Sequence, residues 1–202
     1  MAYYPFSDPF YPGLKKEFEL IQESLDQYIQ SIVSNYSESF VAKILRIDRK
    51  PIIDGSMSPG MQKVYLKQHF FDNKDFNDPA LLRSNAYSGA ILSYLSLYQD
   101  NQMTKDDLES EFMIAVDSIM AHANQNFRVN EFVAEYLING FEQFGFYKVM
   151  THVAESMLID ESCENPELQQ RVETLRKLVP GKPAPNITSF LLDGKDFNLQ
   201  AI

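Results

Sequence analysis

The sequence contains one cysteine, Cys163, and no tryptophan. A single thiol closes no internal disulfide, and thiol-disulfide exchange needs an attacking and a resolving thiol. Cys163 also sits among Asp160, Glu161 and Glu164, neighbours that raise a thiol pKa rather than lower it. Positive charge is scarce: 18 basic residues stand against 28 acidic ones, for a net charge of −10. The first 101 residues carry 10 basic and 12 acidic groups, and the remainder carry 8 and 16. The lack of a basic stripe argues against nucleic-acid binding through phosphates and against anionic membrane surfaces. No apolar run approaches the length of a membrane span, and Met1-Ala-Tyr-Tyr-Pro5 is not a signal peptide. Glycine-rich phosphate loops, Gly-x-Ser-x-Gly elbows and His-Glu-x-x-His motifs are all missing.

What remains is helical periodicity. With 202 residues, 45% of them apolar and 13% aromatic, the chain is long enough for one sizeable Phe/Tyr-rich domain. Residues 1–13, with three prolines and five aromatics, read as an extended arm. Leu14, Phe18, Ile21, Leu25, Tyr28 and Ile32 then repeat at spacings of four, three, four, three and four. This predicts a long amphipathic helix with that stripe inward and Lys15, Glu19, Glu23, Asp26 and Gln30 outward. Ser37 or Ser39 caps a second helix burying Phe40, Val41, Ile44 and Leu45. Residues 49–60, with Pro51, Gly55 and Pro59, read as a loop, and a helix follows from Met61 to Phe71. Further apolar faces run through Tyr87–Tyr98, through Leu108–Ala123 behind an N-capping Thr104, and through Val129–Phe144 up to Gly145. Two more run through Val149–Met157 and, after Asn165-Pro166, through Leu168–Val179. Short connections at 100–104 and 124–129 predict antiparallel neighbours. The expected fold is all-α: an irregular bundle or short solenoid of about seven to eight antiparallel helices, spanning residues 14–179.

Chemistry-bearing residues are dispersed. Asp72, Asn73, Asp75 and Asp78 resemble a calcium loop only loosely, lacking the alternating ligands, central glycine and terminal glutamate of an EF-hand. They predict a structured turn instead, its carboxylates capping helix starts, Phe70, Phe71 and Phe76 anchoring it, and Arg83 available to pair with an aspartate. His69, His122 and His152 fall on three different helices, and His152-x-x-Glu155 reverses the Glu-x-x-His order of di-iron bundles. The carboxylate pairs Glu109/Glu111 and Glu131/Glu135 read as solvated surface. No metal or cofactor site is assigned.

At residue 180 the pattern changes. Pro180, Pro183 and Pro185 forbid helix, the following residues alternate, and Asp193-Gly194 is a hairpin turn dipeptide. The run Gly181-Lys-Pro183-Ala184-Pro185, an extended stretch and Asp193-Gly194-Lys195 resemble the opening of the thioredoxin-like domain of bacterial envelope (TlpA/ResA-type) thiol-disulfide oxidoreductases. Upstream, His69-Phe70-Phe71-Asp72-Asn73-Lys-Asp75-Phe76, Asp78-Pro79, Leu81-Leu-Arg83, Ser39–Leu45 and the helical region to Leu178 resemble the helical domain that precedes it. The resemblance spans residues 37–202 and departs from the oxidoreductase pattern in having no Cys-x-x-Cys. It implies a non-catalytic accessory module, a thioredoxin-like domain in cis as partner, and a periplasmic or envelope location. Residues 180–202 would then be a linker and first β-hairpin. A lone hairpin is marginal in water, which invites docking on the helices or self-association. The alternative is a helical enzyme or small-ligand binder with a site of dispersed residues. A polar pocket with converging histidine and carboxylate would mark the second reading, and an exposed aromatic patch the first.

Overall fold

The computed structural model describes residues 7–157 and 165–177, together with the backbone of 188–190 and 196–198. The helical part is all-α, with eight α-helices among the described residues: α1 (Tyr11–Asn35), α2 (Phe40–Asp48), α3 (Pro59–His69), α4 (Ala86–Ser96), α5 (Lys105–Ala123), α6 (Phe127–Gln143), α7 (Tyr147–Ser156) and α8 (Pro166–Lys177). A 3-10 turn, Pro79–Arg83, lies between α3 and α4. Thr188–Phe190 and Asp196–Asn198 pair antiparallel, with Ser189 opposite Phe197. The linker carrying Gly181, Pro183, Ala184 and Pro185, the turn at Asp193-Gly194, and Cys163 lie outside the described residues.

Helix starts follow the local chemistry. Ser39 accepts a hydrogen bond from the Ala42 amide at 3.1 Å, and Ser58 one from Met61 at 3.3 Å. Thr104 and Asp107 close a reciprocal capping box at α5, and Asn165 receives the Leu168 amide at 3.1 Å. At the end of α6, Gly145 adopts φ +67°, the left-handed conformation glycine tolerates best. There the Phe146 amide reaches back to the Phe141 carbonyl at 2.9 Å, the geometry of a Schellman cap.

The core is built by α4 to α8. Phe112, Val116 and Ile119 of α5 bury against Val133, Leu137 and Ile138 of α6 and the small residues Val149, Val153 and Ala154 of α7. Each fully buried Val, Leu, Ile or Phe contributes about 1.5–3 kcal/mol. Helix α8 closes one side with Leu168 and Val172. Its Arg176 donates to the Ala154 and Met157 carbonyls at 2.7 and 2.6 Å, occupying acceptors left open at the end of α7.

The turn between α3 and α4 is tied together by its own side chains. Asp75 and Asp78 accept the Asn77 and Ala80 amides, each at 2.9 Å, and His69 pairs with Asp72 at 2.7 Å. Phe70, Phe71 and Phe76 are buried with Tyr87 and Tyr94, while Phe71 stacks on His122 at 4.2 Å. Lys74 reaches back to the Ile47 and Arg49 carbonyls at the end of α2, and burial lowers its pKa to about 8. The cation paired with Asp78 is Lys43, at 2.8 Å, and not Arg83, which stands exposed.

Four expectations are overturned. α1 begins at Tyr11 with Pro12 in its first turn, inside the stretch expected to be an arm, because proline fits the first helical turn. Phe40 and Val41 face outward, and Ala42 and Ile47 face inward. Glu109, expected on a wet surface, is only 4% exposed. Most consequentially, α1 is turned over: Ile21, Leu25 and Tyr28 are 66%, 57% and 64% exposed, while its polar side holds the body. Gln22 brackets Ile53, donating to its carbonyl and accepting its amide, both at 2.9 Å. Asp26 takes two hydrogen bonds from Arg49 at 2.5 and 3.0 Å, Glu19 accepts the Gly55 amide at 3.2 Å, and Lys15 pairs with Asp54 at 3.1 Å. Loop 49–55 offers unpaired backbone groups, and only polar side chains can satisfy them.

Candidate functional site

Between α4, α5 and α6 lies a cleft of about 390 Å³. Leu92 and Leu95 of α4 form one wall, Leu108 and Phe112 of α5 another, and Tyr136, Leu137, Gly140 and Phe141 of α6 the third. Phe144, Phe146, Gln99, Asp100 and Asn101 complete the lining.

The α6 terminus builds the aromatic part of the lining. Because Gly145 turns the chain back, Phe146 lands 5.6 Å from Phe112 and 6.1 Å from Phe141, ring centre to centre. Phe144 stays 73% exposed, 6.3 Å from Phe146, and Leu92, which also lines the cleft, is 57% exposed. Lys105 holds the turn by donating to the Gly145 carbonyl at 2.8 Å. Gly140 sits inside α6, where glycine costs about 0.5–1 kcal/mol relative to alanine. A Cβ there would meet nothing within 4 Å. Steric need therefore does not explain the glycine, and its effect is to leave open space along the cleft lining.

Polar groups in the cleft are few. Burial raises the pKa of Tyr136, so its hydroxyl stays protonated at neutral pH. The Asp100 carboxylate accepts the Gln102 amide at 3.0 Å. No nucleophile with an adjacent base stands among the lining residues. Such a lining is predominantly apolar with few polar groups, the composition of sites for apolar groups.

Glu109, beside Leu108, explains its own burial. The start of α7 is preceded by Phe146, which makes no side-chain cap. The Glu109 carboxylate takes that place, accepting the Lys148 amide at 3.4 Å with the Lys148 ammonium 3.6 Å away. An anion at a helix N-terminus is favoured.

The other sequence candidates are not brought together. His69 pairs with Asp72, His122 with the Ser118 carbonyl at 2.8 Å, and His152 with Asp117 at 2.6 Å. None lines the cleft, and the described residues hold no group of three or more histidine, cysteine, aspartate or glutamate side chains placed for a metal. The segment His69–Arg83 packs as described above and does not reach the cleft. A second, polar hollow of about 480 Å³ lies between α1, α2 and residues 72–75. Two of its three cations, Arg49 and Lys74, are already hydrogen-bonded.

Leu92, Gly140 and Phe146 lie off the apolar stripes, which is why periodicity does not single them out. The one local signal is Gly140, a glycine inside a helical pattern. No family model, curated protein or solved structure matches the chain. Among the described residues, no helix is long and apolar enough to cross a membrane.

Proposed function

We propose that the chain is a non-catalytic helical interaction module whose cleft between α4, α5 and α6 receives apolar side chains of a partner protein. The observation that carries this reading is the cleft itself: apolar walls, an exposed Phe144 and Leu92 in its lining, and no acid–base pair inside. Exposed aromatic and aliphatic anchors around a groove are the features of helix-in-groove recognition. The resemblance of residues 180–202 to the opening of a thioredoxin-like domain supports an accessory role beside such a domain, with the redox cysteines supplied there, in the cell envelope.

The test is titration of the chain with amphipathic helical peptides carrying Leu or Phe at i and i+4. Binding to the wild type should weaken about tenfold or more, roughly 1.4 kcal/mol, in Gly140→Leu, which adds a side chain to the cleft lining. Equal binding to both forms contradicts the proposal. A second reading, a small apolar ligand, is favoured by the volume, which lies within the roughly 300–1,000 Å³ of small-molecule sites. Release of a bound small molecule on denaturing the purified wild type, but not Gly140→Leu, would select it.

A further inference from the structure

We infer that the outward stripe of α1 is a self-association seam, on which a second copy of this chain pairs its own α1 antiparallel. This rests on observations separate from the cleft.

Leu14, Phe18, Ile21, Leu25, Tyr28 and Ile32 follow a 4-3-4-3-4 spacing, the 3.5-residue period of a coiled coil rather than the broader face of a core helix. A helix that packs on its own domain buries such a stripe. Here α1 is attached through Lys15, Glu19, Gln22 and Asp26, while Ile21, Leu25 and Tyr28 are more than half exposed. The attachment fixes the helix and leaves Leu14, Ile21, Leu25 and Tyr28 exposed, with Phe18 and Ile32 half-buried.

A second copy is the occupant that matches. A 3.5-period seam needs a partner helix of the same period, and α1 supplies it. With a two-fold axis near residue 23, the layers are Leu14 on the second copy's Ile32, Phe18 on its Tyr28, and Ile21 on its Leu25, each pairing side chains of similar size. On the open side the flanking positions are Glu17, Ser24 and Ser31. The antiparallel arrangement sets Glu17 against serine and Ser24 against itself, so no like charges meet. Opposed helix dipoles favour the same orientation. A chain of net charge −10 resists self-contact over much of its surface, which makes an uncharged seam the place where two copies can meet. A helix of 25 residues is about 37 Å long. One helix pair of this length makes a small interface beside the roughly 800 Å² per partner of a standard stable one. A small interface of this kind is expected to be a reversible one, with monomer and dimer in exchange.

Sedimentation velocity on the full chain from low to high micromolar concentration tests this. The expected result is a monomer–dimer equilibrium, weakened at least about a hundredfold by the double change Ile21→Glu and Leu25→Glu, with helical circular dichroism unchanged because both side chains are already exposed. Leu92→Glu, in the lining of the cleft, should leave the equilibrium as it is. In a Cys163→Ser background, Ser24→Cys should give a disulfide-linked dimer under mild oxidation. A wild type that stays monomeric, a dimer that survives the double change, or a dimer in which Ser24→Cys does not cross-link overturns the inference.

Discussion

At the scale of single residues, two buried or bridged carboxylates carry stability. Glu109→Ala removes the acceptor that caps α7 and leaves the Lys148 amide without its partner. The expected cost is about 1–3 kcal/mol, read from denaturant unfolding, with Glu109→Gln losing less because an amide oxygen still accepts. Asp78 pairs with Lys43, and that hydrogen bond, the largest cause, lowers its pKa below the usual 3.8. A depressed folded-state pKa means that the stabilisation is complete above the unfolded value and is lost as pH falls through the folded one. The melting temperature of wild type should thus fall more steeply below about pH 3.8 than that of Asp78→Asn, which keeps the cap but not the ion pair. Equal slopes would show that the pair adds nothing. Caps such as Ser39, Thr104 and Asn165 were legible in the sequence because each depends on three or four consecutive residues. The burial of Glu109 was not, since its partner lies 39 positions away.

At the scale of elements, periodicity locates helices but does not say which face turns inward. The stripe of α1 and the stripes of α5 and α6 are equally regular, yet only the latter are buried. The difference lies in loop 49–55, whose backbone groups demand polar partners and draw the other face of α1 toward the body. An element held by exposed or half-exposed polar contacts opens more readily than one locked by apolar packing. Amide hydrogen exchange should therefore show α1 exchanging through low-energy local opening while α5 and α6 exchange near the global unfolding limit. Protection of α1 equal to that of α5 in dilute monomer would contradict this attachment. Boundaries shift for the same local reasons: Pro12 and Pro59 open helices where proline content alone suggests loop.

At the scale of the whole molecule, the all-α architecture was readable because six apolar stripes and their caps agree with one another. The cleft was not, because its stripe residues Leu95, Leu108, Phe112, Leu137 and Phe141 are joined by Leu92, Gly140 and Phe146, which no stripe contains. Core and cleft thus share Leu95, Phe112, Leu137 and Phe141, while Leu92, Gly140 and Phe144 lie outside the core. The claim that the cleft is the binding surface is tested most directly by methyl NMR. Leucine methyls are observed while an amphipathic helical peptide is added to the Ile21→Glu, Leu25→Glu chain, whose α1 seam is disabled. The account predicts shifts concentrated on Leu92, Leu95, Leu108 and Leu137, and absent when Gly140→Leu is added. Shifts centred instead on Leu14 and Leu20 of α1, or spread evenly over the surface, would contradict it.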